Sequence, residues 1–331
     1  MRQYLQKLTL GETLTRQETH RIMLGIVAQE YNDTQIAALL MGIQMRGITV
    51  DELLGLRDGL LEVGKSIDLD EYNTLDIVGT GGDGKNTFNI STCAAFVVAG
   101  AGFQVTKHGN AASTSVSGAS NVLEYFGAKF TADESKLRQS LEQAGICYLH
   151  APLFAYGMKY VGPVRKALQI PTCFNLLGPL VNPCHPKNSL HGTANQTQMR
   201  LYTNVHQKIG DNFGVVTSYD GYDEISLTSG FKLVTNHFEK VFTPVDMGLA
   251  YIQAQDIYGG TTAQEAAGIF ISVLENRSTE AQRNVVIANA ACGISIMNPN
   301  ISITDSVAMA SESLTSGKAL HTFKQFIKIN G

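Results

Sequence analysis

The apolar positions change their spacing once along the chain, near residue 75. Before that point they recur every three or four residues, the period of amphipathic helices. Ile22, Ile26 and Val27 follow Thr15-Arg16-Gln17-Glu18, a capping box. Ile36, Leu39, Leu40 and Ile43 follow Asp33, which is expected to cap a helix that stops near Gly47. A second capping box, Thr49-Val50-Asp51-Glu52, opens a helix expected to end about Gly64. The spacing predicts a small helical domain over residues 1–72. A bundle this small needs further apolar surface to cover it, and a partner subunit is the cover expected.

After residue 75 short apolar runs alternate with helical ones. Residues 75–78 predict a strand, followed by a glycine loop and a helix over 90–100. A strand over 103–106 ends at Lys107-His108-Gly109-Asn110. A helix over 121–126 with a strand near Lys129, a helix over 134–144 and strands over 146–150 and 213–217 continue the pattern. Further helices follow Thr262 and span 281–291. The alternation predicts an α/β domain over 73–331, with a mostly parallel central sheet flanked by helices. Helices near 165–190 are expected to pack with the N-terminal bundle.

Composition narrows the function classes. The net charge of −4 comes without any run of Lys or Arg, so no nucleic-acid footprint is expected. The five cysteines are widely spaced, odd in number and free of C-x-x-C, which argues against disulfides and zinc and for a reducing cytoplasm. No secretory h-region opens the chain, and the apolar run 93–103 is too short to span a bilayer.

The candidate chemistry starts in residues 76–92, DIVGTGGDGKNTFNIST. Gly79, Gly81 and Gly84 fit G-x-G-x-x-G, but the next strand ends in Lys107 where a dinucleotide site needs an acid. Gly79 to Lys85 fits the P-loop pattern up to Asn86, which stands where Ser or Thr would hold magnesium. A different division of labour fits better. Amides of Gly79 to Gly82 can line an anion, Asp83 can accept from a sugar hydroxyl, and Asn89, Ser91 and Thr92 open a helix whose N-terminus favours phosphate. A loop that holds both phosphate and sugar points to a phosphorylated sugar. Lys107 offers a point charge at the adjacent strand end. Asp223-Glu224 beside a phosphate cradle needs a cation between, and magnesium suits such oxygen ligands. Arg165, ten residues before NLLGPLVNP, suits a planar carboxylate.

Seven segments in one order, GTGGD (79–83), NIST (89–92), KHGN (107–110), SGASNVLE (117–124), MKYVGPVR (158–165), NLLGPLVNP (175–183) and DGYDE (220–224), resemble the anthranilate phosphoribosyltransferase family of tryptophan biosynthesis. The resemblance implies a nucleoside phosphorylase/phosphoribosyltransferase-like fold and transfer of a phosphoribosyl group from phosphoribosyl pyrophosphate to the amine of anthranilate. It places Gly79, Gly82, Asp83, Thr87, Asn89, Ile90, Ser91, Thr92, Lys107, Ser115 and Ala119 at phosphoribosyl pyrophosphate. Gly79, His108, Asn110, Arg165 and Pro179 fall at anthranilate. Ser91, Asp223 and Glu224 fall at magnesium, two ions per subunit. Lys107, His108 and Asp83 are the catalytic candidates, in a cytoplasmic homodimer joined through its helical domain. The phosphoribosyl half is almost intact. Ala111, Ala119, Pro171 and Ala155-Tyr156-Gly157 depart from the usual residues, three of these four sites being on the acceptor side. A relative with another aromatic amine or base as acceptor, and a non-catalytic nucleic-acid-binding relative, are the alternatives.

Overall fold

The computed structural model describes residues 1–112 and 116–331. Four helices come first: α1 (Arg2–Thr9), α2 (Arg16–Val27), α3 (Asp33–Arg46) and α4 (Val50–Val63). Strand β1 (Thr74–Gly79), helix α5 (Ile90–Gly100), strand β2 (Gln104–Gly109), helices α6 (Ala119–Tyr125) and α7 (Glu134–Ala144) and strand β3 (Ile146–His150) follow. Helix α8 (Met158–Leu168) precedes β4 (Asn188–Gly192), α9 (Gln196–Ile209) and β5 (Asn212–Ser218). The hairpin β6 (Phe231–Thr235) and β7 (Glu239–Phe242) leads to α10 (Ala263–Leu274), α11 (Glu280–Met297), α12 (Ile303–Thr315) and α13 (Lys318–Asn330).

Two compact units result, Met1–Ile67 with Ala151–His185, and Asp68–His150 with Pro186–Gly331. Residues 151–185, within the range expected for the α/β domain but including the helices expected to pack with the bundle, belong to the helical unit. Backbone bonds stitch the segment there: Lys65 N donates to Phe154 O (3.0 Å) and Ile67 N to Pro183 O (3.1 Å).

In the helical unit both predicted capping boxes form, at Thr15 with Glu18 and at Thr49 with Glu52. Helix α3 is capped by Asn32 rather than Asp33. The Asn32 amide accepts from Gln35 N at 2.9 Å and Gln35 returns the bond, while Asp33 lies inside the first turn, where its charge suits the helix dipole. Glu52 does more than cap. Its side chain is fully buried and accepts from Thr49 N (2.8 Å), Leu14 N (2.8 Å) and the Arg46 guanidinium (2.5 Å). One carboxylate thus joins the start of α4, the loop before α2 and the end of α3.

The α/β unit is built on a seven-stranded sheet in the order β3-β2-β1-β4-β5-β6-β7. The first five strands are parallel, and β6 and β7 continue the sheet as an antiparallel hairpin. Leu75, Ile77, Val105, Ile146 and Leu190 pack into one core with the residues of α5 and α11. Helix α5 is apolar on all sides because it is buried on all sides. The strand expected near Lys129 is absent. Residues 128–133 have no regular structure, and Lys129 N instead donates to Asn330 O at 2.6 Å. Among the described residues no helix is long and apolar enough to cross a membrane.

Replacing Glu52 by Ala leaves the Arg46 guanidinium and the Leu14 amide without their buried acceptor. Glu52→Ala is expected to lower the free energy of unfolding by about 3–5 kcal/mol, the scale for breaking a buried pair. Chemical denaturation of the two proteins checks it, and a loss below about 1 kcal/mol would reduce Glu52 to an ordinary surface-type pair.

Candidate active site

The parallel strands end together. Register sets Gly79 of β1 opposite Gly192 of β4, and Thr80 N donates to Gly192 O (2.9 Å). Both glycines answer to Asp223, in the loop after β5. A Cβ on Gly79 would lie 2.3 Å from Asp223 Oδ2, and one on Gly192 would lie 1.7 Å from Asp223 O. The absent side chains let the carboxylate lie against the strand ends. There Asp223 Oδ2 accepts from Gly81 N at 2.6 Å, in a loop where Gly81 holds φ of +70°.

Glu224 turns toward α5. Its Oε1 accepts from Ser91 N (2.8 Å) and its Oε2 from the Thr87 hydroxyl (3.2 Å). The helix N-terminus that the sequence offers to a phosphate therefore already holds a carboxylate. Asp83 completes an acidic trio: its Oδ1 accepts from Lys85 N (3.0 Å) and its Oδ2 from Asp223 N (3.4 Å). Burial pushes the Asp223 carboxyl well above the ordinary range, with Glu224 and Asp83 adding to the effect. Burial also raises Glu224, against the stabilising donors Ser91 and Thr87.

Lys107, expected as a point charge at the strand end, is enclosed by the fold. Its side chain is buried, with Nζ donating to Ile77 O at 2.5 Å. Burial pulls its ammonium down to about 8, opposed by Asp76 and Glu224. His108, next in the strand, is also buried, and its amide donates to Asp76 Oδ1 at 3.1 Å. Asp76 is a residue that the candidate set lacks. A charged residue within the apolar run Leu75-Asp76-Ile77-Val78 is its sequence signal, because carboxylates enter buried strands only with partners.

Other candidates occupy plainer surroundings. Asn89 does not cap α5 with its side chain. It adopts a left-handed conformation (φ 55°) and its Nδ2 donates to Ser117 O at 2.8 Å. Ile90 and Thr92 are buried in the first turn, and Ala119 opens α6. Asn110 is exposed. Ser115 lies outside the described residues. Arg165 of α8 and Pro179 belong to the helical unit, where Arg165 donates to Asn175 Oδ1 at 3.3 Å. Two further contacts anchor the loop: Asn86 Nδ2 donates to Gly260 O (2.7 Å), and Lys85 Nζ sits 4.7 Å from the centroid of the Tyr222 ring.

Among the described residues no cluster of three or more His, Cys, Asp and Glu is set to hold a metal. Two adjacent buried carboxylates with raised pKa values still suit a hard cation that keeps water and substrate oxygens as its other ligands. The arrangement offers close-approach amides, a cation-demanding acid pair and a buried ammonium at one set of strand ends, where ligands of such sheets bind.

Known proteins place this geometry. A glycosyl transferase family helical bundle domain matches residues 2–64, and a glycosyl transferase family a/b domain matches residues 71–320. The chain is 55% identical over 330 residues to an anthranilate phosphoribosyltransferase of Phocaeicola vulgatus, with all of each chain covered. It resembles the crystal structure of the Thermus thermophilus anthranilate phosphoribosyltransferase with a TM-score of 0.92 at 30% identity, covering 98% of both chains. The Saccharomyces cerevisiae anthranilate phosphoribosyltransferase in complex with PRPP and Mg gives a TM-score of 0.92 at 27% identity, covering 99% of this chain and 96% of that one. Full-length similarity of this degree, over both units and the strand-end site, makes the chain a member of the anthranilate phosphoribosyltransferase family.

Proposed function

We infer that this chain transfers the phosphoribosyl group of phosphoribosyl pyrophosphate to the amine of anthranilate, releasing pyrophosphate, in tryptophan biosynthesis. The observation that carries the reading is the seat of Asp223 and Glu224 against the glycine loop and the N-terminus of α5. Anthranilate is an arylamine, neutral near pH 7, so it attacks without a strong base. As its nitrogen bonds to C1 of the ribose, the C1–oxygen bond breaks and charge collects on the leaving diphosphate. Positioning of the amine and stabilisation of that charge lower the barrier.

The chain's residues divide this work. Amides of Gly79 and Gly82 line the diphosphate, Asp83 accepts from ribose hydroxyls, and Thr87, Asn89, Ile90, Ser91, Thr92, Ser115 and Ala119 complete the donor side. Lys107 acts from below as a fixed positive charge, which its burial and its bond to Ile77 O support. His108, Asn110 and Gly79 serve the acceptor, and Arg165 and Pro179 keep the acceptor roles that their family motifs imply. Magnesium, two ions per subunit held by Asp223, Glu224 and the Ser91 hydroxyl, would neutralise charge on the diphosphate. The protein is proposed to act as a cytoplasmic homodimer through its helical unit, which exposes Leu10 (75%) and Met45 (85%).

Mixing the full chain with phosphoribosyl pyrophosphate, magnesium and anthranilate is expected to remove anthranilate fluorescence only when all three are present. No loss of fluorescence, with thermal protection by phosphoribosyl pyrophosphate, would move the reading to another acceptor. The double variant Asp223→Asn with Glu224→Gln is expected to lose about a hundredfold or more in kcat. It should unfold at no lower temperature than the parent without metal, since it relieves two buried charges. Unchanged turnover at low magnesium would show the metal to be elsewhere. With Lys107 at about 8, kcat/KM should fall as pH rises through that value. Lys107→Met should be slow throughout and lack this limb. A parent profile flat well past that pH would remove the charge from Lys107.

A further inference from the structure

Asn86 stands where a P-loop carries the Ser or Thr that holds magnesium, and the transfer as described gives it no role. The structure shows where its carboxamide goes. Nδ2 donates to Gly260 O at 2.7 Å, and Asn86 O accepts from Gly259 N at 2.8 Å. Thr87, next in the chain, pairs with Tyr258 as an isolated antiparallel bridge. Side chain and main chain together thus clamp the end of the glycine loop to a segment 174 residues away.

The far jaw of the clamp is rigid. Gly260 holds φ of +84°, and a Cβ there would lie 2.6 Å from Glu265 Cβ. Glu265 Oε2 accepts from Thr261 N at 2.6 Å, while Glu265 N donates to the Thr262 hydroxyl at 3.1 Å. The turn that presents the Gly260 carbonyl is therefore tied to the first turn of α10. Gly259 lets the two jaws meet, since a Cβ there would lie 2.5 Å from Thr87 O. A cavity of about 310 Å³ flanks the contact, with Asn86, Thr87, Tyr222, Gln255 and Tyr258 in its wall. Beside that space, hydrogen bonds rather than close packing hold the jaws together.

The near jaw belongs to the site. The Thr87 hydroxyl donates to Glu224 Oε2 at 3.2 Å, and Phe88 is fully buried. The clamp carries the fixity of Phe88 two residues back toward Asp83. Upstream, Gly81 N is held by Asp223. Between these two fastenings Gly82 and Gly84 are exposed and hold φ of +75° and +71°. Glycines lose the most freedom on ordering, so such a loop keeps one shape only while both ends are fixed.

We propose that Asn86 is a positioning residue for the phosphoribosyl half of the transfer, fastening the glycine loop to the turn before α10 so that Gly82, Asp83 and Thr87 meet phosphoribosyl pyrophosphate already in place. The proposal rests on the reading of that loop as the phosphoribosyl pyrophosphate site.

Two substitutions in the full-length chain test it. Asn86→Ala removes the side-chain bond, and Asn86→Asp keeps the shape but replaces the N–H by an acceptor. Affinity falls with the fraction of loop already ordered, and losing one net hydrogen bond lowers that fraction about fivefold. Calorimetry with magnesium should therefore show the Kd for phosphoribosyl pyrophosphate rise about fivefold in both variants. The KM for anthranilate, and kcat at saturating phosphoribosyl pyrophosphate, should stay close to the parent's. Amide hydrogen exchange over residues 81–87 should quicken in the free variants and return to the parent's rate with phosphoribosyl pyrophosphate bound. Gly259→Ala opens the clamp from the other side. It should give the same loss, add little to Asn86→Ala in the double variant, and serve as the test if the Asn86 variants do not fold. A lower melting temperature with unchanged phosphoribosyl pyrophosphate affinity would reduce Asn86 to a structural part and overturn the proposal. Unchanged exchange in the loop, equal losses for both substrates, or additive losses in the double variant would overturn it too. A parent chain that binds no phosphoribosyl pyrophosphate would overturn the reading of the site itself, whereas a binding parent with unaffected Asn86 variants would overturn the clamp alone.

Discussion

The site depends on a carboxylate resting where two side chains are missing. Asp223 lies against Gly79 and Gly192, neighbours across β1 and β4, and any Cβ at either position would overlap it. From that seat it fixes the glycine loop by accepting from Gly81 N, while its own amide reaches Asp83. The adjacent Glu224 is drawn to the first turn of α5. A single close approach thus links two central strands, the loop after β1, the loop after β5 and a buried helix. Loosening it would move the donors and acceptors of the site together.

The same arrangement places charge where the fold would not choose it. Burial raises the proton affinity of both carboxyls, with Glu224 adding to the effect on Asp223 and Asp83 to the effect on both, and burial pulls the Lys107 ammonium down to about 8. Each shift marks free energy spent on holding a charge out of water. A cation and a polyanion entering together, as proposed above, would offset part of it, the cation satisfying the carboxylates and the anion facing the amides and the ammonium. Groups strained in isolation and complementary to ligand are what an active site requires.

What was legible in the sequence is what local rules determine. The capping boxes at Thr15 and Thr49 form because their bonds span three residues. Helix α5 and strand β3 occupy the ranges that their apolar runs predict. Locality failed at Asn32, where two good capping residues stand side by side and the one that can also receive the Gln35 bond prevails. It failed again at Lys129, whose backbone partner is Asn330, at the far end of the chain. The packing of helices near 165–190 with the bundle was expected, but the bonds from Lys65 and Ile67 that draw the whole of Ala151–His185 into the helical unit are not revealed by any period. In the site, the glycine loop and the acid pair were readable as types of residue. The burial of Lys107, the role of Asp76 and the seat of Asp223 were not, because each depends on which strands lie side by side.

The pleat explains how one short run serves two purposes. Lys107 and His108 are consecutive in β2, so their side chains leave the sheet on opposite faces. Lys107 shares its face with Val105, and so with the core built on Leu75, Ile77 and Leu190 that α5 and α11 cover. A charge there is sheltered from water and acts strongly on the loop above it. His108 shares the other face with Thr106, Asp76 and, across Val78, His191. That face carries buried polar groups beside apolar ones such as Leu149: Thr106 bonds Thr74 at 3.0 Å, and Asp76 takes the His108 amide. A one-residue slip of β2 would exchange the two faces, putting the imidazole in the apolar core and the ammonium among the histidines. With the roles proposed for Lys107 and His108, the register of β2 against β1 and β3 would constrain catalysis as well as structure.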